Sequence, residues 1–195
     1  MRVIAGKYRS RPLVAPAGMD TRPTADRLRE TLFNVLTQGA VDRVAGAAFL
    51  DLYAGSGAVG IEALSRGGAR VTFVEHGAAA LAVLRKNLDA LGMREGVAVE
   101  RRSVAAFLRR EGIGPFGVIF LDPPYEEAEE YARTLGFLGG EGAGLLAEDA
   151  LVVAEHRKKD SLAERYGALK RVRVKEQGDA GLSFYEVAQA DSAAQ

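Results

Sequence analysis

Two short stretches hold residue types and spacings that could do chemistry: Ala54-Gly55-Ser56-Gly57-Ala58-Val59-Gly60 and Asp122-Pro123-Pro124-Tyr125. In the first, Gly55, Gly57 and Gly60 stand on a G-x-G-x-x-G spacing after the apolar run 48–53, and Glu75 lies fifteen residues beyond Gly60. Glycines at the first two positions let backbone approach a ligand, and the third lets helix pack on strand. An acid after the next strand can accept hydrogen bonds from both ribose hydroxyls. The pattern therefore suits an adenosine-containing ligand. Asp51 lies four residues before Gly55, and no Lys or Arg falls within the loop. Such an acidic surrounding repels a diphosphate and favours a cationic ligand without phosphate. S-adenosylmethionine, with an ammonium and a sulfonium, is such a ligand.

The second stretch follows the apolar run 117–121. Its two prolines fix φ, and Pro124 restricts Pro123 to extended backbone, so a stiff turn is expected at a strand's carboxyl end. Open α/β sheets bind ligands there. Asp122 and the Pro123 carbonyl would be two acceptors, and Tyr125 a flat ring. An exocyclic amine of a nucleobase has two N–H donors and a π face to match them.

Elements that would position these residues alternate along the chain. The pattern predicts strands at 48–53, 71–75, 97–101, 117–121 and 150–155, and helices at 58–66, 78–91, 103–111, 127–138 and 160–166. Short apolar strands separated by helices imply an α/β fold, a parallel sheet covered on both faces. Two more strands, 169–175 and 182–188, are joined by a short turn and must be antiparallel. Before them, a small hairpin is expected over 2–15, and a helix N-capped by Thr24 runs to Thr37 with Leu28, Leu32, Val35 and Leu36 on one stripe. Tyr53 and Phe120 read as core strand positions. The domain plan is a basic hairpin and loop over 1–23, a catalytic domain over 24–188 and a frayed tail over 189–195.

The 195 residues, 48% hydrophobic and 27% charged, suit one globular domain. No cysteine is present, which excludes disulfides and thiolate metal sites and fits a cytoplasmic protein. His76 and His156 stand alone, so no metal is assigned. No apolar run reaches the ~18 residues of a membrane span, and the first residues lack a signal peptide's apolar block. Charge is uneven: residues 1–30 hold seven Lys/Arg against three Asp/Glu, net +4, and the rest of this neutral chain is −4. A basic arm on an acidic body points to a polyanionic partner. The run Arg157-Lys158-Lys159 reads as a solvated face.

Asp51-x-x-x-Gly55-x-Gly57, Glu75 and Asp122-Pro123-Pro124-Tyr125 resemble the motif set of class I S-adenosylmethionine-dependent methyltransferases that act on amino nitrogens. More narrowly, the chain is similar over nearly its whole length to the RsmD family of bacterial 16S rRNA guanine-N2 methyltransferases. That likeness rests on Arg2-Val3-Ile4-Ala5-Gly6-Lys7-Tyr8, Arg22-Pro23-Thr24, the run from Asp26 to Asn34, and Glu62-Ala63-Leu64-Ser65-Arg66-Gly67.

The resemblance implies a Rossmann-like sheet of seven strands with an antiparallel C-terminal hairpin. It implies a monomer that methylates guanine N2 in 16S rRNA on a partly assembled small subunit, in the cytoplasm, with no membrane and no metal. The cofactor site would be Asp51, Ala54, Gly55, Ser56, Gly57, Glu75, Ser103, Val104 and Asp122. Ser103 replaces the acid or amide that many relatives carry near the adenine. The catalytic set would be Asp122, Pro123 and Tyr125. RNA would meet Arg2, Lys7, Arg9, Arg11, Arg22, Thr24 and Arg27. The rivals are amino methyltransfer to adenine or to a protein glutamine, an NAD-dependent oxidoreductase, and an RNA-binding module without catalysis.

Overall fold

The computed structural model describes residues 1–15, 23–124 and 128–188, without the side chains of 23–25 and 128. Expectations for Tyr125, Arg22 and the tail lie outside those residues, as do those for the Thr24 side chain.

The described chain runs α1 (Pro23–Thr37), β1 (Ala48–Leu52), α2 (Ala58–Ser65), β2 (Arg70–Glu75), α3 (Ala78–Ala90), β3 (Val97–Arg101), α4 (Val104–Leu108), β4 (Phe116–Leu121), α5 (Ala128–Leu138), β5 (Leu146–Arg157), β6 (Arg165–Tyr166), β7 (Leu169–Gln177) and β8 (Ala180–Val187). One sheet carries all eight strands in the order β3-β2-β1-β4-β5-β8-β7-β6. Strands β1 to β5 pair in parallel, and β8, β7 and β6 extend the sheet antiparallel. The class expected from sequence holds, with one short strand more than the seven expected.

Alternation along the strands gives the sheet two apolar faces. Phe49, Phe73, Val118, Phe120, Val153 and Phe184 pack with α1, α2 and α3, together with Val3 and Leu13 of the N-terminal arm. Leu50, Leu52, Val74, Ile119, Leu121, Val152 and Tyr185 pack with α4 and α5. No described helix is long and apolar enough to cross a membrane.

Two expectations are corrected. The helix expected over 160–166 is absent. Arg165 and Tyr166 pair with Leu169 and Lys170, and Tyr166 sets its ring edge-on to Tyr185 at 5.7 Å. A seven-residue segment nucleates helix poorly, and Gly167 at φ +58° turns the chain back into the sheet. The helix begins at Pro23, so Thr24 lies in its first turn and does not cap it. Proline suits that position because its missing N–H has no helical partner to lose. The arm turns back on itself as expected, with Val3 N–H bonding the Arg11 carbonyl at 3.0 Å, Ser10 N–H the Val3 carbonyl at 2.9 Å and Leu13 N–H the Met1 carbonyl at 3.1 Å around the Arg2–Pro12 bridge. The Ile4 and Ala5 N–H groups donate to Glu62 of α2, at 2.7 and 2.9 Å.

Candidate active site

After β1 the chain builds β2 and β3 on one side, then returns to place β4 on the other. The crevice between β1 and β4 is thus the topological switch point, where open α/β sheets hold ligands. Carboxylates gather along this rim. Asp51 pairs with Phe73 and Phe120, and Glu75 ends β2 on the face of Phe73. Leu121 is in register with Ala154, so Asp122 and Glu155, one residue on, are neighbours across β4 and β5. Parallel register puts them on one face, the face covered by α1, α2 and α3.

The glycine loop is held by these acids. Gly55 N–H donates to Glu75 Oε2 at 2.9 Å, and the N–H groups of His76 and Gly77 donate to Oε1 at 2.8 and 2.7 Å. Gly60 N–H, in the first turn of α2, donates to Asp51 Oδ2 at 2.9 Å. Ala54 N–H bonds the Val74 carbonyl, and Asn87 of α3 donates to the Ser56 carbonyl, both at 3.0 Å. Gly57 needs to be glycine twice over: its φ is +78°, and a Cβ would come within 2.2 Å of Leu84 Cδ1.

Asp51 is only 1% exposed. Burial raises its pKa to about 8; the Gly60 N–H opposes the rise, and Asp122 and Glu75 add to it. Tyr53, read from sequence as a core strand residue, instead ends the strand. It sits at φ +59°, rare for a residue with a side chain, and its hydroxyl donates to Glu130 of α5 at 2.8 Å. That strained residue opens the loop. Phe120 is buried in the core as expected.

Asp122 differs from Asp51 and Glu75. It is half-buried, with Pro123 buried behind it, and its carboxylate accepts no hydrogen bond from any described residue. Burial pushes its pKa up to about 7. Glu155 is also raised well above the ordinary carboxylate range, by burial and by Asp122, while Arg29 pulls it back. Ser103 caps α4, its Oγ accepting the Ala106 N–H at 3.3 Å. That helix is shorter than the span 103–111, ending at Leu108. The Val104 N–H, at its first position, has no acceptor among the described residues.

Sequence reasoning passed over the residues that dock the arm. Glu62, fully buried, takes Ile4, Ala5 and the Arg66 guanidinium, the last at 2.7 Å. Ser65 takes the Tyr8 N–H at 3.0 Å and donates to the Ala5 carbonyl. Asn87 exchanges two bonds with Val14 at 2.8 and 3.0 Å. An acid set within the otherwise apolar stretch 58–64 was the available signal. Docked this way, the arm leaves Arg2, Lys7, Arg9 and Arg11 exposed, and Arg27 is exposed on α1. None of the five pairs with a described acid.

His76 is largely exposed, and buried His156 lies 2.9 Å from Ser183 Oγ. No group of metal-ligating side chains occurs among the described residues. Arg157 and Lys158 are engaged by Asp160 and Glu176.

Comparison with known proteins places the chain in a family. The family described as "Conserved hypothetical protein 95" matches residues 1–186. Ribosomal RNA small subunit methyltransferase D of Escherichia coli (strain K12) is 39% identical over 162 residues, covering 83% of this chain and 77% of that one. YlbH of Bacillus subtilis (strain 168), a candidate rRNA methyltransferase by name, is 38% identical over 190 residues, covering 95% and 98%. A solved structure from Thermus thermophilus superposes with TM-score 0.75 at 32% identity, covering 96% of this chain and 99% of that one.

Proposed function

The chain belongs to the family described as "Conserved hypothetical protein 95", the RsmD family of rRNA methyltransferases, and from that premise we propose that it methylates the N2 amine of a guanine in 16S rRNA, with S-adenosylmethionine as donor. One observation carries the reading: Asp122, a carboxylate with no described partner, stands at the switch point beside a glycine loop already pinned by Glu75. A partly assembled small subunit is the substrate form, and the enzyme acts as a monomer in the cytoplasm.

The residues present fit the donor. Ala54, Gly55, Ser56 and Gly57 would lie along its ribose and methionine portion. Glu75, after its three backbone bonds, keeps one acceptor site on Oε2 for a ribose hydroxyl. Asp51 sets the loop through Gly60, and a cationic ligand beside it would favour its ionised form over the burial that raises its pKa. Ser103 is occupied as a cap, which leaves the Val104 N–H to meet the adenine. Bound there, S-adenosylmethionine supplies an electrophilic methyl group.

The protein's own work is positioning. A guanine amine is a weak nucleophile because its lone pair is delocalised into the ring. Asp122 and the Pro123 carbonyl accept its two N–H bonds, favour pyramidal nitrogen and aim the lone pair. Tyr125 stacks on the flipped base, worth about 1–3 kcal/mol. Fixed geometry of this kind contributes roughly 7–11 kcal/mol to barrier lowering.

Calorimetry tests the ligand class. S-adenosylhomocysteine should bind and NAD should give no heat of binding; binding of NAD alone would return the loop to a dinucleotide reading. The arm has its own test. Changing Arg2, Lys7, Arg9 and Arg11 together to Gln should weaken binding to small subunits and reduce its salt slope by up to about 0.7–0.9 for each phosphate no longer neutralised. S-adenosylhomocysteine affinity should stay unchanged. An unaltered slope would make these residues a solvated surface only.

A further inference from the structure

Two carboxylates and one guanidinium nitrogen at the rim have no partner among the described residues. The Asp122 carboxylate has none among the described residues, and neither has the carboxylate of Glu155, its neighbour across β4 and β5. The third is Arg29 of α1. Its side chain is 5% exposed and its Nη2 donates to the Arg2 carbonyl at 2.6 Å and to Asp26 at 2.9 Å. Its buried Nε has no acceptor at all among the described residues. A buried orphan donor is costly. Arg29 lies on the same face as Glu155, and its guanidinium draws Glu155 toward the ionised form against burial and Asp122. A pair of half-buried acids whose carboxylates bond nothing among the described residues is built to receive donors from outside.

Guanine presents a donor N1–H directly beside the donor N2 amine on its Watson–Crick edge. Adenine presents a bare acceptor at N1. Two adjacent carboxylates match the first edge and repel the second. Resting on the guanine-N2 reading above, we infer that Glu155 is the specificity-determining residue of this site: its carboxylate accepts guanine N1–H while Asp122 accepts an N2–H. The register of β4 and β5 sets the two acceptors side by side. When ionised, each carboxylate only accepts, and the pair then excludes a base whose N1 carries a lone pair.

The test uses small subunits reconstituted with 16S RNA bearing either guanine or 2-aminopurine at the methylated position. 2-Aminopurine keeps the N2 amine and has a bare N1. Wild-type protein should methylate guanine at least about tenfold faster, in line with the cost of giving up one good hydrogen bond to a base. Glu155→Gln can turn an N–H toward a bare N1, so the ratio should narrow by about tenfold while the melting temperature and S-adenosylhomocysteine affinity hold. Glu155→Asp, still an acceptor, should keep the preference for guanine. Equal rates on the two bases with wild type would overturn the inference without any variant. An unchanged ratio in a folded Glu155→Gln protein would overturn it as well. If wild type methylates no guanine subunits, the guanine-N2 reading itself fails first.

Discussion

Asp122→Ala should lower methyl transfer to small subunits by about 10- to 150-fold while S-adenosylhomocysteine still binds. The magnitude follows from losing one hydrogen bond to a charged acceptor in the transition state, at roughly 1.5–3 kcal/mol. Its pH dependence sharpens the assignment. Burial raises the Asp122 pKa to about 7, so below that value the acceptor is protonated. Transfer by wild type should therefore fall about tenfold per pH unit on the acid side and level off above.

Stability runs the other way. Asp51 and Asp122 titrate higher in the fold, to about 8 and about 7, than the roughly 3.9 of an unfolded aspartate. Their contribution to stability is full below about pH 4 and is lost as pH rises through 7 and 8. At pH 8, Asp122→Asn should melt no lower than wild type and still be slower in transfer. A variant that lost activity by unfolding would melt lower.

Glu75→Ala should lower S-adenosylhomocysteine affinity by at least about 100-fold and reduce the melting temperature. One carboxylate holds Gly55, His76 and Gly77 by their N–H groups. Removing it orphans three donors, each at about 1–3 kcal/mol where water cannot replace the partner. Glu75→Gln keeps one carbonyl oxygen and should fall between. Calorimetry and thermal melting read both effects. Wild-type affinity in the alanine variant would mean that Glu75 holds the loop alone and takes no part in the ligand.

The sequence carried the sheet well where strands and helices alternate. The strand over 97–101 was bounded to the residue, and the helix expected over 78–91 ends one residue earlier. Both depend on local apolar period, which is written in consecutive residues. The site's skeleton was legible for the same reason: glycine spacing, a following acid and a proline turn are local. What escaped depends on distant partners. Glu62 and Ser65 stood in plain view, yet their role appears only when the arm folds back onto α2. Tyr53 fits the strand pattern and leaves it because the loop must turn at once after Leu52. The segment 160–166 was misread because Leu162, Tyr166 and Tyr185 are joined by tertiary contacts that override a weak helical period. Asp122 and Glu155 became neighbours only through the strand order, which no single stretch encodes.

The central claim is that Asp122, at this switch point, presents guanine N2 of 16S rRNA for methylation. Its most direct measurement is mass-spectrometric mapping of 16S RNA from cells that lack the protein, complemented with wild type or with Asp122→Ala. The account predicts one N2-methylguanine restored by wild type and absent with the variant. Restoration by Asp122→Ala, or a methyl group on another atom, would contradict it.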